Sequence, residues 1–174
     1  MPTTPPPTTA VSTIPASTIP ASPMAVPSTA VSTATVPTTV VHRVVGAMLV
    51  RDGQILLGHR TAGRAVFPDV WDLAGGHIEP GETAAQAMVR ECREELGIEI
   101  APPAEPLDRW QGDTFDLTAF RIVDWAGEVT NCAVDEHDRL AWFTPEDTLR
   151  LDLAHERYRR LFAAEAASQL SDLS

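Results

Sequence analysis

From His42 onward, apolar and polar positions fall into short runs separated by turn-forming residues. Val44, Val45, Ala47, Met48, Leu49 and Val50 form a mostly apolar run, Asp52-Gly53 breaks it, and Ile55, Leu56 and Leu57 follow. Two apolar runs about an Asp-Gly pair predict a β-hairpin with a primed turn. Residues 61–70, with Gly63, Pro68 and mixed charge, read as a loop, and Trp71-Asp72-Leu73 reads as a short strand entering Gly75-Gly76. Helical periodicity then extends from about Thr83 to Leu96, with Gly97 placed to cap its C-terminus. Strands are expected near residues 98–101, 106–112, 114–125 and 138–143. Thr144-Pro145 suits the start of a short helix, and an amphipathic pattern from about Leu153 to Ala166 predicts a last one. The class is α+β: a domain over 42–166, followed by a flexible C-terminus at 167–174.

The segment before His42 has no such pattern. Residues 1–41 hold nine of the fifteen prolines, are otherwise rich in Thr, Ser, Ala and Val, and contain no charged residue, His or Gly. Proline at this density removes backbone donors and favours extended conformers, so a disordered tail is expected. It lacks the basic start and continuous apolar core of a secretory signal, and the Arg of an organelle transit peptide. A start codon placed upstream of the true one is an equal reading.

All 24 acidic residues therefore fall in the remaining part, and the net charge is −11 with every basic residue an Arg. Such a balance excludes sequence-independent binding to a nucleic-acid backbone, which needs clustered positive charge. It suits a site that recruits metal cations. No run of 18 or more uncharged apolar residues occurs, so neither a spanning helix nor a membrane partner is expected. Cys92 and Cys132 lack zinc-ligand spacing and read as small apolar residues in a reducing, cytoplasmic compartment.

The candidate chemistry lies between Gly75 and Ile98. At about 100° per residue, Glu95 falls about 40° to one side of Glu91 and Glu94 about 60° to the other. Three carboxylates thus share one arc of the helix, while Ala85, Met88, Val89, Cys92 and Leu96 occupy a neighbouring packing arc. Like charges at i,i+4 repel, and Arg90 opposite Glu94 offsets part of that repulsion. A bound divalent cation would offset the rest; hard oxygen ligands suit Mg²⁺, with Mn²⁺ as a substitute. The same three acids alone would also suit a solvated face. Gly75-Gly76 and Gly81 tip the reading toward a ligand, because they let the backbone approach closely beside the carboxylates.

Gly76, five residues, Glu82, seven residues, then Arg90-Glu91-Cys92-x-Glu94-Glu95-x-Gly97-Ile98 resembles the Nudix box, with Cys92 standing at an aliphatic position. The likeness extends more weakly over about His42–Phe162 and is closest to the MutT-like branch. It implies a Nudix fold, a mixed β-sheet sandwiched between α-helices with a strand–loop–helix catalytic motif. It also implies Mg²⁺ ligation by Glu91, Glu94, Glu95 and the Gly75 carbonyl. A further acid from outside the box is expected at Glu136, with Asp135 second, and Glu79 is placed to reach the metal through water or to stay on the surface. Gly76, Glu82, Arg90 and Gly97 are implied as structural members of the box. The implied reaction is water attack at phosphorus in the diphosphate linkage of a nucleoside triphosphate-like substrate, an oxidised 8-oxo-dGTP type included, with Glu94 or Glu95 as general base.

Substrate contacts implied by the resemblance are Arg60 toward phosphate, Leu73 and Ala74 beside the passing base or sugar, and His155 toward the base. The partner is then a small nucleotide or related diphosphate, not a nucleic-acid polymer, and the protein a monomer or homodimer. Two rivals stand beside this reading. A non-catalytic Nudix-fold sensor of nucleotides or sugar phosphates would be expected to lose box acids, which this chain retains. An isopentenyl diphosphate isomerase would need a catalytic cysteine, and Cys92 falls on the packing arc.

Overall fold

The computed structural model describes residues 41–172; the proline-rich segment expected as a tail lies almost wholly outside the described residues. β1 (His42–Arg51) and β2 (Gln54–Arg60) form the hairpin predicted around Asp52-Gly53. Both turn residues have left-handed φ, 51° and 74°, as a primed turn requires. The two strands pair antiparallel only beside the turn, at Val50–Ile55 and Arg51–Gln54, and then diverge. β2 turns instead to β3 (Trp71–Asp72) and to β6 (His137–Phe143), both antiparallel. On its other edge β1 pairs in parallel with β5 (Phe115–Ile122), which in turn carries β4 (Asp108–Gln111).

The divergence of the hairpin positions the site. It leaves part of the β1 edge free, and the backbone of 74–78 fills it: Val45 N donates to Gly76 O, Ala47 N to Ala74 O, and Ile78 N to Arg43 O, each at 2.8 Å. The glycine pair is thereby fastened to the central strand of the sheet.

Alternation along β1 sends side chains to two faces. Val45, Ala47 and Leu49 join Leu56 and Phe120 against α1 (Ala84–Leu96), where Ala87, Met88, Cys92 and Leu96 are fully buried. Met48 and Val50 join Ile55, Leu57 and Leu117 on the opposite face, against Tyr158, Leu161 and Phe162 of α3 (Tyr158–Asp172). The expected sheet between helices is thus observed. Each fully buried Leu, Met or Phe contributes about 1.5–3 kcal/mol, so the two-sided core is what holds the sheet. Trp142 and Trp125 flank the α1-side core, stacked with centroids 6.2 Å apart and Arg51 lying over both.

Two expected elements differ. Residues 98–101 make one isolated bridge, Glu99 with Ala126, rather than a strand, because Pro102 and Pro103 follow and have no N–H to extend a ladder. The last helix begins at Tyr158 rather than Leu153 and runs to Asp172, past the expected end at Ala166. Its first expected turn is diverted: Trp71 N donates to Asp152 O and Ala154 N to Trp71 O, both at 2.8 Å, so this backbone pairs with β3. α2 (Pro145–Thr148) starts as expected, with the Thr144 hydroxyl accepting from Asp147 N.

Candidate active site

α1 is fixed at both ends. Thr83 and Gln86 form a reciprocal capping box at its start. At its end Gly97 adopts φ 66°, donating to Arg93 O while Ile98 N reaches Cys92 O, a Schellman closure that a residue with a Cβ would strain. Along its length the capped helix presents Glu91 and Glu95 to the glycine turn, while Glu94 pairs with Arg90.

That turn needs its glycines for two different reasons. Gly75 has φ 150°, and a Cβ there would collide with the Val45 carbonyl. A Cβ on Gly76 would collide with the Glu91 carboxylate. The backbone therefore lies directly on the acids, and Gly75 N donates to Glu95 Oε2 at 2.8 Å.

Arg90 ties the box together. Its Nε and Nη2 donate to both oxygens of Glu82 at 3.1 Å, Nη2 also to His77 O at 2.9 Å, and Nη1 to Glu91 Oε1 at 2.8 Å and Glu94 Oε2 at 3.1 Å. Glu82 is held below the usual carboxylate range by its hydrogen bonds from Arg90 and Glu79 N. Glu91 and Glu95 move the other way. Burial raises Glu91 against the pull of Arg90. Burial raises Glu95 to about 8 despite the Gly75 N–H, and the charges of Glu91, Glu136 and Asp72 add to it. Glu94 remains 58% exposed.

Among the described residues no three acid, His or Cys side chains converge on one cation-sized point in this arrangement. The donor set, carboxylate oxygens beside a backbone carbonyl, is of the hard oxygen type that divalent cations take. Arg90 Nη1 already places positive charge between Glu91 and Glu94, and Glu95 has a single N–H partner for a buried carboxylate. Glu136 belongs to the same electrostatic cluster, since its charge acts on both Glu91 and Glu95. It pairs with Arg64 at 2.8 Å. Asp135 is exposed, and its backbone carbonyl accepts from the Thr61 hydroxyl. The Glu79 side chain is exposed, and its N–H donates to Glu82.

The expected substrate contacts fare differently. Arg60 donates to Phe67 O and Val66 O at 2.8 Å and to Asp72 at 3.1 Å, so three of its five N–H groups tie the 61–70 loop to β2 and β3. The Leu73 and Ala74 side chains are buried in the two cores, because the strand pleat turns them inward, and only their backbone borders the site. His155 lies in the turn before α3, not on it. Its ring sits 3.8 Å from that of Trp110, its Nδ1 accepts from Arg157 N, and burial together with Arg157 disfavours its protonation.

Sequence reasoning missed Asp72. Its carboxylate accepts from Arg60, from Leu73 N and from the Tyr158 hydroxyl at 2.9 Å, and burial raises its pKa. An acid on a two-residue strand followed by two apolar residues was the available signal, and the charged partner 12 positions back hid its meaning. It also missed His137, only 2% exposed, whose ring lies where a Cβ on Gly58 would be and whose Nε2 has no hydrogen-bond partner.

With this geometry in place, the match of residues 40–164 to the NUDIX domain decides the family. The chain belongs to the Nudix hydrolase family. Its Nudix domain is similar to the CTP pyrophosphohydrolase of Escherichia coli (strain K12), with 41% identity over 115 residues, covering 64% of this chain and 82% of that protein. The nucleoside triphosphatase NudI of Escherichia coli O1:K1 is 44% identical over 127 residues, covering 63% and 86%. Among solved Nudix-like structures, the E. coli ORF135 protein has a TM-score of 0.63 at 33% identity, over 78% of this chain and 96% of that one. A MutT Nudix hydrolase from Burkholderia pseudomallei has a TM-score of 0.58 at 29% identity, over 71% and 96%. No helix among the described residues is long and apolar enough to cross a membrane.

Proposed function

We propose that this chain is a Mg²⁺-dependent pyrophosphohydrolase of nucleoside triphosphates, releasing a nucleoside monophosphate and pyrophosphate. The observation that carries the reading is Glu95. It is buried, anchored on Gly75 N, and crowded by Glu91 and Glu136, a charge arrangement that favours a cation and is costly without one. Glu91, Glu94, Glu95, Glu136 and the Gly75 carbonyl would hold Mg²⁺ or Mn²⁺. When bound, the ion would neutralise charge on the diphosphate oxygens and make a water acidic enough to attack phosphorus.

The chain's own residues supply position and proton transfer. Gly75 N donates to one oxygen of Glu95, which orients its carboxyl group toward the turn. Glu94 reaches solvent, and one of Glu94 and Glu95 takes the proton from the attacking water. Arg90 and Glu82 keep the glycine turn against the helix, which sets the distance from backbone to acids. The relatives' names, CTP pyrophosphohydrolase and nucleoside triphosphatase, support a nucleoside triphosphate as the substrate class. Cys92 argues against an isomerase, since burial in the core pushes its thiol up to about 12, far from a reactive thiolate.

Phosphate and pyrophosphate release should be measured with Mg²⁺ against CTP, dCTP, the other nucleoside triphosphates, 8-oxo-dGTP, diphospho-sugars and dinucleotides. Pyrophosphate from at least one triphosphate is expected. Release from none of them, with a folded protein, would refute the proposal.

A further inference from the structure

Arg60 gives three of its five N–H groups to Val66 O, Phe67 O and Asp72, and its side chain is only 12% exposed, which leaves it little reach toward a ligand. Arg90 is likewise committed to Glu82, Glu91, Glu94 and His77 O. Arg64 differs from both. Its side chain is 36% exposed and its ion-pair partner is Glu136, itself one of the proposed cation ligands.

The surroundings of Arg64 are built rather than incidental. Thr61 N donates to Glu136 O at 2.9 Å, the Thr61 hydroxyl reaches Asp135 O, and Arg64 N closes the turn onto Thr61 O. These bonds stitch the 61–64 turn to the 133–136 turn. Between the turns lies an open recess of about 450 Å³, lined by Thr61, Gly63, Arg64, Ala65, Val66 and Asp135. Glu136 borders this recess, pairing with Arg64 at 2.8 Å and accepting from Thr61 N at 2.9 Å, and its charge also acts on Glu91 and Glu95.

We infer that Arg64 is the arginine that receives the polyphosphate, and that Glu136 passes it to the substrate. Glu136 pairs with the Arg64 guanidinium at 2.8 Å beside the recess that Arg64 lines. A carboxylate that ligates a divalent cation has less charge to offer an arginine, so loading of the acid cluster frees Arg64. A planar guanidinium then meets phosphate oxygens two at a time, in a protein whose acidity otherwise repels them. The inference rests on the hydrolase reading above and adds a substrate-contacting residue to it.

Arg64→Ala and Arg64→Lys test this against wild type, with steady-state kinetics on whichever triphosphate the panel identifies. Calorimetry with Mg²⁺ alone, and with inorganic pyrophosphate in saturating Mg²⁺, supplies a readout besides activity. The expected result for Arg64→Ala is a KM raised about tenfold or more, and pyrophosphate binding weakened by a similar factor. Its Mg²⁺ affinity should be unchanged or tighter because Glu136 is released, and its melting temperature should match wild type. Arg64→Lys should recover part of the loss. An unchanged KM and pyrophosphate affinity in Arg64→Ala would overturn the inference while leaving the hydrolase reading intact. A loss traced wholly to weaker Mg²⁺ binding would overturn it too. A wild type inactive on the whole panel would remove the reading beneath it.

Discussion

Glu95→Gln separates the two demands made on this side chain, because glutamine keeps the shape and can still accept from Gly75 N while never carrying charge. In the folded, cation-free protein Glu95 is raised from its ordinary 4.5 to about 8, first by burial and then by neighbouring acids. A carboxyl group whose folded value lies above its unfolded one contributes stability that is intact below the unfolded value. That stability is lost as pH climbs through the folded value. Between pH 5 and pH 9 the upshift corresponds to at most roughly 5 kcal/mol at 1.36 kcal/mol per pH unit. Relaxation and water entry reduce such penalties, so about 2–3 kcal/mol is expected in practice. Thermal melts in EDTA should therefore show Glu95→Gln close to wild type at pH 5 and about 8–12 °C more stable at pH 9, at about 4 °C per kcal/mol for a domain of this size. The acids held low by Arg partners, Glu82, Glu99 and Glu165, titrate below this window, and Glu91 and Asp72 are common to both proteins. Equal melting temperatures at pH 9, or a less stable mutant, would refute the claim that the acid cluster is under charge stress when empty.

Arg90→Ala removes the one cation that Glu82, Glu91 and Glu94 share, and chemical denaturation should show a loss of about 2–4 kcal/mol, partly restored by Mg²⁺. An Arg90→Ala protein as stable as wild type would mean the pairs are screened to insignificance. Tyr158→Phe deletes the hydroxyl that donates to buried Asp72 and should cost about 1–2 kcal/mol in the same assay with KM unchanged; a raised KM would place Asp72 closer to the substrate than the structure does.

The hairpin and the box helix were legible because each rests on local signals, a primed Asp-Gly turn and a 3.6-residue period between Thr83 and Gly97, whereas the sheet between helices followed from the resemblance to the Nudix box. Where the sequence fell short, the decisive partner was distant. The start of α3 was displaced because residues 152–154 pair with Trp71, some 80 positions away, and periodicity cannot register that competition. Proline acts locally through its missing N–H, so Pro102-Pro103 carries a readable signal against a strand at 98–101. In the site, the arc shared by Glu91, Glu94 and Glu95 followed from helix geometry alone. The commitment of Arg60 to loop carbonyls did not, since no sequence pattern tells a guanidinium facing a ligand from one facing Val66 O.

The central claim is that these acids act on a polyphosphate through a divalent cation. Turnover of the preferred triphosphate should be followed by ³¹P NMR in the chelated protein, during a Mg²⁺ titration, and after a second addition of EDTA. The account predicts no conversion at the start, monophosphate and pyrophosphate appearing as Mg²⁺ is added, and arrest on chelation. Conversion that proceeds undiminished in EDTA would contradict it.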